Sequence, residues 1–292
     1  MNNLDRALIV FGLMSGLLMS SLAVAQIDIV YPRPMGNLDE RQNYAIELLG
    51  LALAKSGKGY RLQPSKSVQK QKRALKNMEL GSGIDVVWTV TSAEREKFLR
   101  PIRIPIDKGL VGWRIPLIRE VDVERFERLH DLKGLQALNA GQGHDWPDVA
   151  VLQHNGFKTT NLPSYVGMFK MLASGRVDYF PRSVLEIESE SETHANKNLV
   201  VDPNLLLVYP SALYFFVSFD APTLADDIQK GLEEMIASGD FDLLFNRYFS
   251  EPIERLNLRS RHVFYLENPF LPKKTPLSKR ELWFEAPPRS NQ

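Results

Sequence analysis

Cysteine is absent from the 292 residues. That absence excludes disulfides, thiolate nucleophiles, thiolate-held zinc and iron–sulfur clusters together. It also excludes the bacterial lipoprotein anchor, which is built on a cysteine at the cleavage point. Histidine is scarce, with five in the chain, and no two stand four residues apart as a helical metal pair requires. No G-x-S-x-G, P-loop or G-x-G-x-x-G run occurs. Excess charge of either sign is missing too: 36 Lys and Arg face 35 Asp and Glu, a net of +1. A nucleic-acid binder would carry a basic surplus and a disordered acidic chain the reverse. Neither metal, cofactor nor nucleic acid is therefore expected. What remains is ordinary for a globular protein, 44% hydrophobic and 24% charged. The length suffices for one large domain or two modest lobes.

The first segment is a targeting signal in pattern. Arg6 precedes an uncharged stretch from Ala7 to Ala25, which ends in Ala23-Val24-Ala25, a small-residue cleavage site. A permanent membrane anchor is the competing reading, but Ser15, Ser20 and Ser21 dilute the apolar run. Residues 1–25 are read as a cleaved signal peptide and the mature chain as periplasmic and monomeric.

Along the mature chain, short β-branched runs alternate with helical patterns. Ile27–Tyr31 reads as a strand stopped by Pro32. Asn37–Lys55 reads as a helix with an Asn37/Glu40 capping box. Strands are read at Tyr60–Leu62 and Ile84–Thr89, with a helix at Ser67–Leu80 between them. A second series follows: strands at Leu135–Asn139, Phe157–Thr160, Val177–Phe180 and Asn198–Val201, separated by helices at Trp146–Gly156, Pro163–Ser174 and Val184–Ala195. The β-prone Leu213–Ser218 leads to two closing helices, Pro222–Ala237 and Phe241–Tyr248. Prolines 269, 272, 276, 287 and 288 mark an extended tail. Strand–helix alternation of this kind gives lobes of mostly parallel sheet flanked by helices. The segments Gly109–Ile118 and Leu205–Ser218 lie where the chain would pass between two lobes and return, so they read as hinge crossovers.

Five runs in this order carry a resemblance. They are Gly83-Ile84-Asp85-Val86-Val87, Thr91-Ser92-Ala93-Glu94-Arg95, Asp131-Leu132-Lys133-Gly134-Leu135, Met171-Leu172-Ala173-Ser174-Gly175-Arg176-Val177-Asp178 and Leu232-Glu233-Glu234-Met235-Ile236-Ala237-Ser238-Gly239. The mature chain up to Phe249 resembles the extracellular solute-binding proteins of family 3, the amino-acid type. The resemblance implies a two-lobed type II periplasmic-binding fold. Residues 26–112 and 212–250 would form lobe 1, residues 113–211 lobe 2, and 251–292 an extension. It also implies an arginine after the third strand for a ligand α-carboxylate and an acid after a second-lobe strand for the α-amine. The loop from Asp85 to Arg95 is shorter than the family's, which leaves the reach of Arg95 open. Ser183 stands where the acid belongs, with Arg182 beside it. An arginine there would repel an ammonium group, so the expected ligand is anionic or neutral rather than an ordinary α-amino acid.

Ligands of open α/β lobes sit beyond the carboxyl ends of strands. Four segments qualify, each with a bland alternative. Tyr31 and Arg33 lie in a proline-stiffened loop, and Arg33 is either a ligand contact or a solvated arginine. Trp88 and Thr89 offer an indole wall and a hydroxyl, or else core packing. Gln142 and His144 lie among Gly141, Gly143 and Asp145 before a helix, an anion cradle or a capped tight turn. Tyr179 and Arg182 present an arginine fork among aromatics, for a carboxylate or phosphate ligand or for Glu186 or Glu188 nearby. Arg114, on the crossover strand, is equally ambiguous. The basic run from Lys66 to Lys76 and the acidic run Glu186, Glu188, Glu190 and Glu192 read as solvated helix faces.

The function these readings favour is capture of a small anionic or neutral polar ligand by hinge closure. The closed form would serve an inner-membrane ABC-type permease or a sensor protein. Two alternatives stand beside it. One is a dehydratase- or lyase-like enzyme, which needs a cleft carboxylate without an arginine partner. The other is a ligand-free interaction module using the extension.

Overall fold

A computed structural model describes residues 26–33 and 40–285. The expected signal peptide and the Asn37 cap lie outside the described residues. β1 (Ile27–Arg33) runs parallel to β2 (Tyr60–Val68), Ile27 opposite Tyr60, with α1 (Glu40–Ala54) between them. The pairing extends β2 through Val68, so α2 (Gln71–Glu79) begins later than its helical pattern suggests. β3 (Val86–Val90) follows β1 through Asp85: its N–H donates to the Val30 carbonyl and its carboxylate accepts the Val30 N–H at 2.7 Å. α3 (Arg95–Phe98) and β4 (Arg100–Ile102) complete the outgoing part of this half.

The chain then enters a second sheet. Its elements are β5 (Trp113–Arg119), α4 (Val123–Glu127), α5 (Leu132–Ala137), β6 (Asn139–Gly143), α6 (Asp148–His154) and β7 (Lys158–Leu162). They continue with α7 (Tyr165–Ala173), β8 (Tyr179–Ser183), α8 (Ile187–Thr193), β9 (Leu199–Val201) and β10 (Leu205–Val208). Asp131 accepts the Gly134 N–H at 2.7 Å and caps α5, which explains why Leu135 and its neighbours are helical rather than a strand. β8 is buried along its whole length, as a strand covered on both faces must be.

The return is through β11 (Leu213–Val217), antiparallel between β3 and β4, followed by α9 (Pro222–Ser238) and α10 (Asp240–Arg255). Gly239, at φ 83°, makes the left-handed turn between these helices. The expected extended tail is partly regular. α10 continues through Pro252, and β12 (His262–Tyr265) pairs in parallel with β10. The second sheet therefore has the order β12-β10-β5-β8-β6-β7, with β9 beside β5. The first half has a β1-β2 pair and a β3-β11-β4 sheet. This is the two-lobed α/β architecture the alternation implied. Among the described residues no helix is long and apolar enough to cross a membrane.

Three segments join the halves: 103–112 outward, 209–212 back, and 256–261 outward again from α10 to β12. The first two touch, the Tyr209 N–H donating to the Gly112 carbonyl at 3.1 Å, and Ser183 Oγ at the end of β8 donates to the Leu110 carbonyl of the outgoing segment at 3.0 Å. Contact this close needs glycine, since a Cβ at Gly112 would overlap the Tyr209 carbonyl oxygen. Gly112→Ala should therefore force the crossovers apart and cost about 1–3 kcal/mol, read as a lowered urea midpoint at unchanged m-value.

Candidate functional site

A cavity of about 280 Å³ lies between the halves. The first half contributes Trp88 from β3, Arg95 from the start of α3, and Asp107 from the outgoing crossover. The second contributes Arg114 from β5, Trp146 and Asp148 around the start of α6, Tyr165 from α7, Arg182 from β8, and Glu186.

The second-half wall is one connected polar network. Arg182 donates from Nε and Nη2 to the two oxygens of Glu190, each at 2.6 Å, and its Nη2 lies 2.6 Å from Glu186. Tyr165 donates to Glu190 at 2.5 Å. The guanidinium sits 4.8 Å from the Trp146 ring centroid and 4.6 Å from that of Phe180, and those two rings stack at 16°. Arg114 donates to Asp148 at 2.5 Å and to the Tyr209 hydroxyl at 3.1 Å, and Tyr209 in turn donates to Asp148. Glu186 lies 3.7 Å from Arg114 and so links the two arginines. Burial alone would lower the pKa of Arg182, but Glu186 and Glu190 raise it above the ordinary value. Asp148 and its neighbours do the same for Arg114 against burial. Two arginines here meet three carboxylates, Asp148, Glu186 and Glu190, which leaves one negative charge in excess.

The facing wall carries one arginine and one acid. Arg95 donates to Thr89 Oγ1 at 2.9 Å, to the Val90 carbonyl at 2.5 Å and to Gln71 Oε1 at 3.2 Å, all neutral acceptors. Burial lowers its pKa, and the charges of Asp145, Asp148 and Glu94 offset part of that. Asp107 accepts the N–H groups of Gly109 at 3.0 Å and Val111 at 2.7 Å. Desolvation nevertheless pushes its carboxyl up to about 6.

Of the residues selected from sequence, the structure brings Trp88, Arg114 and Arg182 together on this cavity. Tyr31 stands behind Trp88, its ring 5.9 Å away, and Thr89 holds Arg95. The others lie elsewhere. Arg33 donates to the Ser65 carbonyl and closes the β1–β2 pair. Tyr179 packs 5.9 Å from Phe126 in the outer core, because residues three apart on a strand point to opposite faces and Arg182 takes the inner one. Gln142 is buried on β6, and its side-chain amide has no hydrogen-bond partner there. The expected anion cradle is filled by protein: the Trp146 indole covers Gly143 so closely that a Cβ would overlap it. His144 is exposed, 3.9 Å from Asp145.

Asp148, Tyr165, Glu186 and Glu190 escaped selection. The acidic run read as a solvated face divides instead: Glu186 and Glu190 turn inward, while Glu188 meets Arg255 at 2.9 Å. The readable part of the signal was the spacing of Glu186 and Glu190, four apart and so on one side of α8.

No protein-family model and no curated sequence matches the chain; the likeness is structural. One similar structure is ytmK of Bacillus subtilis, the probable extracellular-binding protein of an amino-acid ABC transporter. It is 18% identical with a TM-score of 0.58, covering 78% of this chain and 99% of its own. A histidine kinase sensor domain with similarity to periplasmic binding proteins is 15% identical with a TM-score of 0.56, covering 77% and 96%. An ancestral amino-acid-binding protein, a precursor of cyclohexadienyl dehydratase, is 14% identical with a TM-score of 0.52, covering 77% and 95%. The fold is thus that of two-lobed periplasmic binding proteins.

Two outcomes follow from the buried charges. Arg182→Met leaves Glu186 and Glu190 without their guanidinium and should cost about 3–5 kcal/mol in denaturant titration; adding Glu190→Gln should recover part of it. Asp107 keeps its proton up to about pH 6 when folded, against an ordinary value of 3.8. The folded state therefore binds more protons between those values, and stability falls as pH rises through that window, by about 3 kcal/mol in full. Urea titrations at about pH 4 and pH 7 should show a larger loss in the parent than in Asp107→Asn.

Proposed function

We propose that the chain is an exported solute-binding protein that closes its two lobes on a small polar ligand and presents the closed form to an ABC-type permease or a sensor. The observation that carries this reading is the cavity of about 280 Å³ built by both halves, with Arg95 on one wall and an excess carboxylate on the other. The ligand it suits is neutral overall and dipolar. A carboxylate end would meet Arg95, whose hydrogen-bonded partners are all neutral. An ammonium or other donor end would meet the Asp148–Glu186 side, where one negative charge is in excess. An α-amino acid fits this reading, because Glu186 and Glu190 answer the charge of Arg182 that would otherwise repel an ammonium group. Residues 1–25 would supply export to the periplasm.

One observation supports the enzyme alternative: Asp107 is an acid on the cavity wall without an arginine partner. Both of its oxygens are engaged by backbone N–H groups of its own loop, however, so it organises the crossover. Binding is the better-supported reading.

The test is a thermal-shift series with the free α-amino acids and simple dicarboxylates, alongside mass spectrometry of ligand carried through purification. A zwitterionic ligand at one hundred times its Kd should add about 2.7 kcal/mol of stability. Arg95→Met should remove about 1.5–3 kcal/mol of binding. Absence of any shift and of any co-purified molecule would overturn the proposal.

A further inference from the structure

Residues 266–285 leave the second sheet and cross back over the joint between the lobes. Their near end is fixed to lobe 2. β12 pairs with β10, and Asn155, just beyond α6, exchanges two hydrogen bonds with the Glu267 backbone at 2.8 and 3.0 Å. Asn268 then donates to the Pro210 carbonyl of the returning crossover at 2.8 Å. The far end is fixed to the outgoing crossover and lobe 1. The Phe284 N–H donates to the Lys108 carbonyl at 2.8 Å, and the Trp283 indole lies against Gly109. The Phe284 ring is 6.3 Å from Phe245 of α10 in lobe 1, and 5.6 Å from Trp113, where the outgoing crossover enters β5 of lobe 2. Trp283 Nε1 donates to the Pro276 carbonyl at 3.0 Å and holds the intervening turn.

Between these ties the segment reaches the cleft itself. Asn268 and Phe270 line a small cavity of about 20 Å³ together with Val90, Pro147 and Asp148, and the last three also border the larger cavity. The segment therefore touches both lobes, the 103–112 and 209–212 crossovers and the joint-side end of the cleft. The crossovers 103–112, 209–212 and 256–261 all lie at the joint, and connections confined to one joint leave rotation about an axis near them free. A further span anchored on both sides turns that rotation into separation of its anchors, so wide opening requires one end to let go.

We propose that residues 266–285 form a strap that limits how far the lobes open, with the Trp283–Phe284 anchor as the end that releases. The proposal goes beyond the ligand reading and is tested without ligand, so either can fail while the other stands.

The cysteine-free chain makes the measurement direct. Spin labels on Lys133→Cys in α5 and Glu234→Cys in α9, both exposed, report the interlobe distance in the full-length protein. The parent should give one narrow distribution, and Trp283→Ala with Phe284→Ala a broader one displaced to longer distances. Should that variant fail to fold, a recognition sequence for a site-specific protease inserted between the exposed Lys273 and Lys274 and cut after purification severs the strap and leaves its anchoring side chains in place. The same widening is expected after cleavage. A severed or anchor-deleted chain that stays folded and gives a distribution superimposable on the parent's would overturn the strap.

Discussion

Arg182 is a fixed positive charge with 3% of its surface exposed, and the inner wall of lobe 2 is organised around that requirement. A buried guanidinium persists only when its charge is met and its donors are used. Glu190 meets it bidentately, Glu186 meets it from one turn earlier, and the Trp146 and Phe180 rings lie 4.8 and 4.6 Å away. α8 is thereby held against β8, Tyr165 is drawn onto Glu190, and Glu186 is placed between two arginines. The arrangement also explains why an arginine-rich cleft need not attract anions. The arginines act chiefly as structural counter-charges, and the net sign of the wall is set by the carboxylates around them.

The alternation of strands and helices was legible because it rests on local pattern, and the five short runs placed the lobes in order. The candidate site was legible only in part. Trp88 and Arg182 were found because chemistry-bearing residues stood at strand ends, and Arg114 because it stood on a crossover strand. Tyr179 and Gln142 were selected on the same ground, yet they lie on the strand faces turned away from the cavity. One residue of register decides that, and the register of a strand is fixed by its partners across the sheet. Glu190 was set aside because four acids in a row resemble a solvated face. Its role depends on an arginine whose burial is itself a tertiary fact. The anion cradle failed for a related reason: Gly141-Gln142-Gly143 has the composition of an open turn, and what fills it, Trp146, lies three residues beyond the second glycine.

The extension shows the same limit. Its prolines announce an extended path, but residues 269–283 run mostly through turns and a short 3-10 helix. That His262–Tyr265 would add to the edge of a sheet whose other members end near Val208 depends on the docking of α10. Arg261 secures that docking by donating to the carbonyls of Leu256, Asp202 and Leu205. Partner choice of this kind is set by long-range geometry and leaves no local trace.

The four tryptophans are distributed in a way that has an optical consequence. Trp88 and Trp146 face one another's lobe across the cavity, while Trp113 and Trp283 lie at the joint beneath it. Every indole in the chain thus belongs to a part whose surroundings alter when the halves move. Intrinsic emission is accordingly a native gauge of interlobe geometry, with no residue in a remote, unchanging setting to dilute its signal.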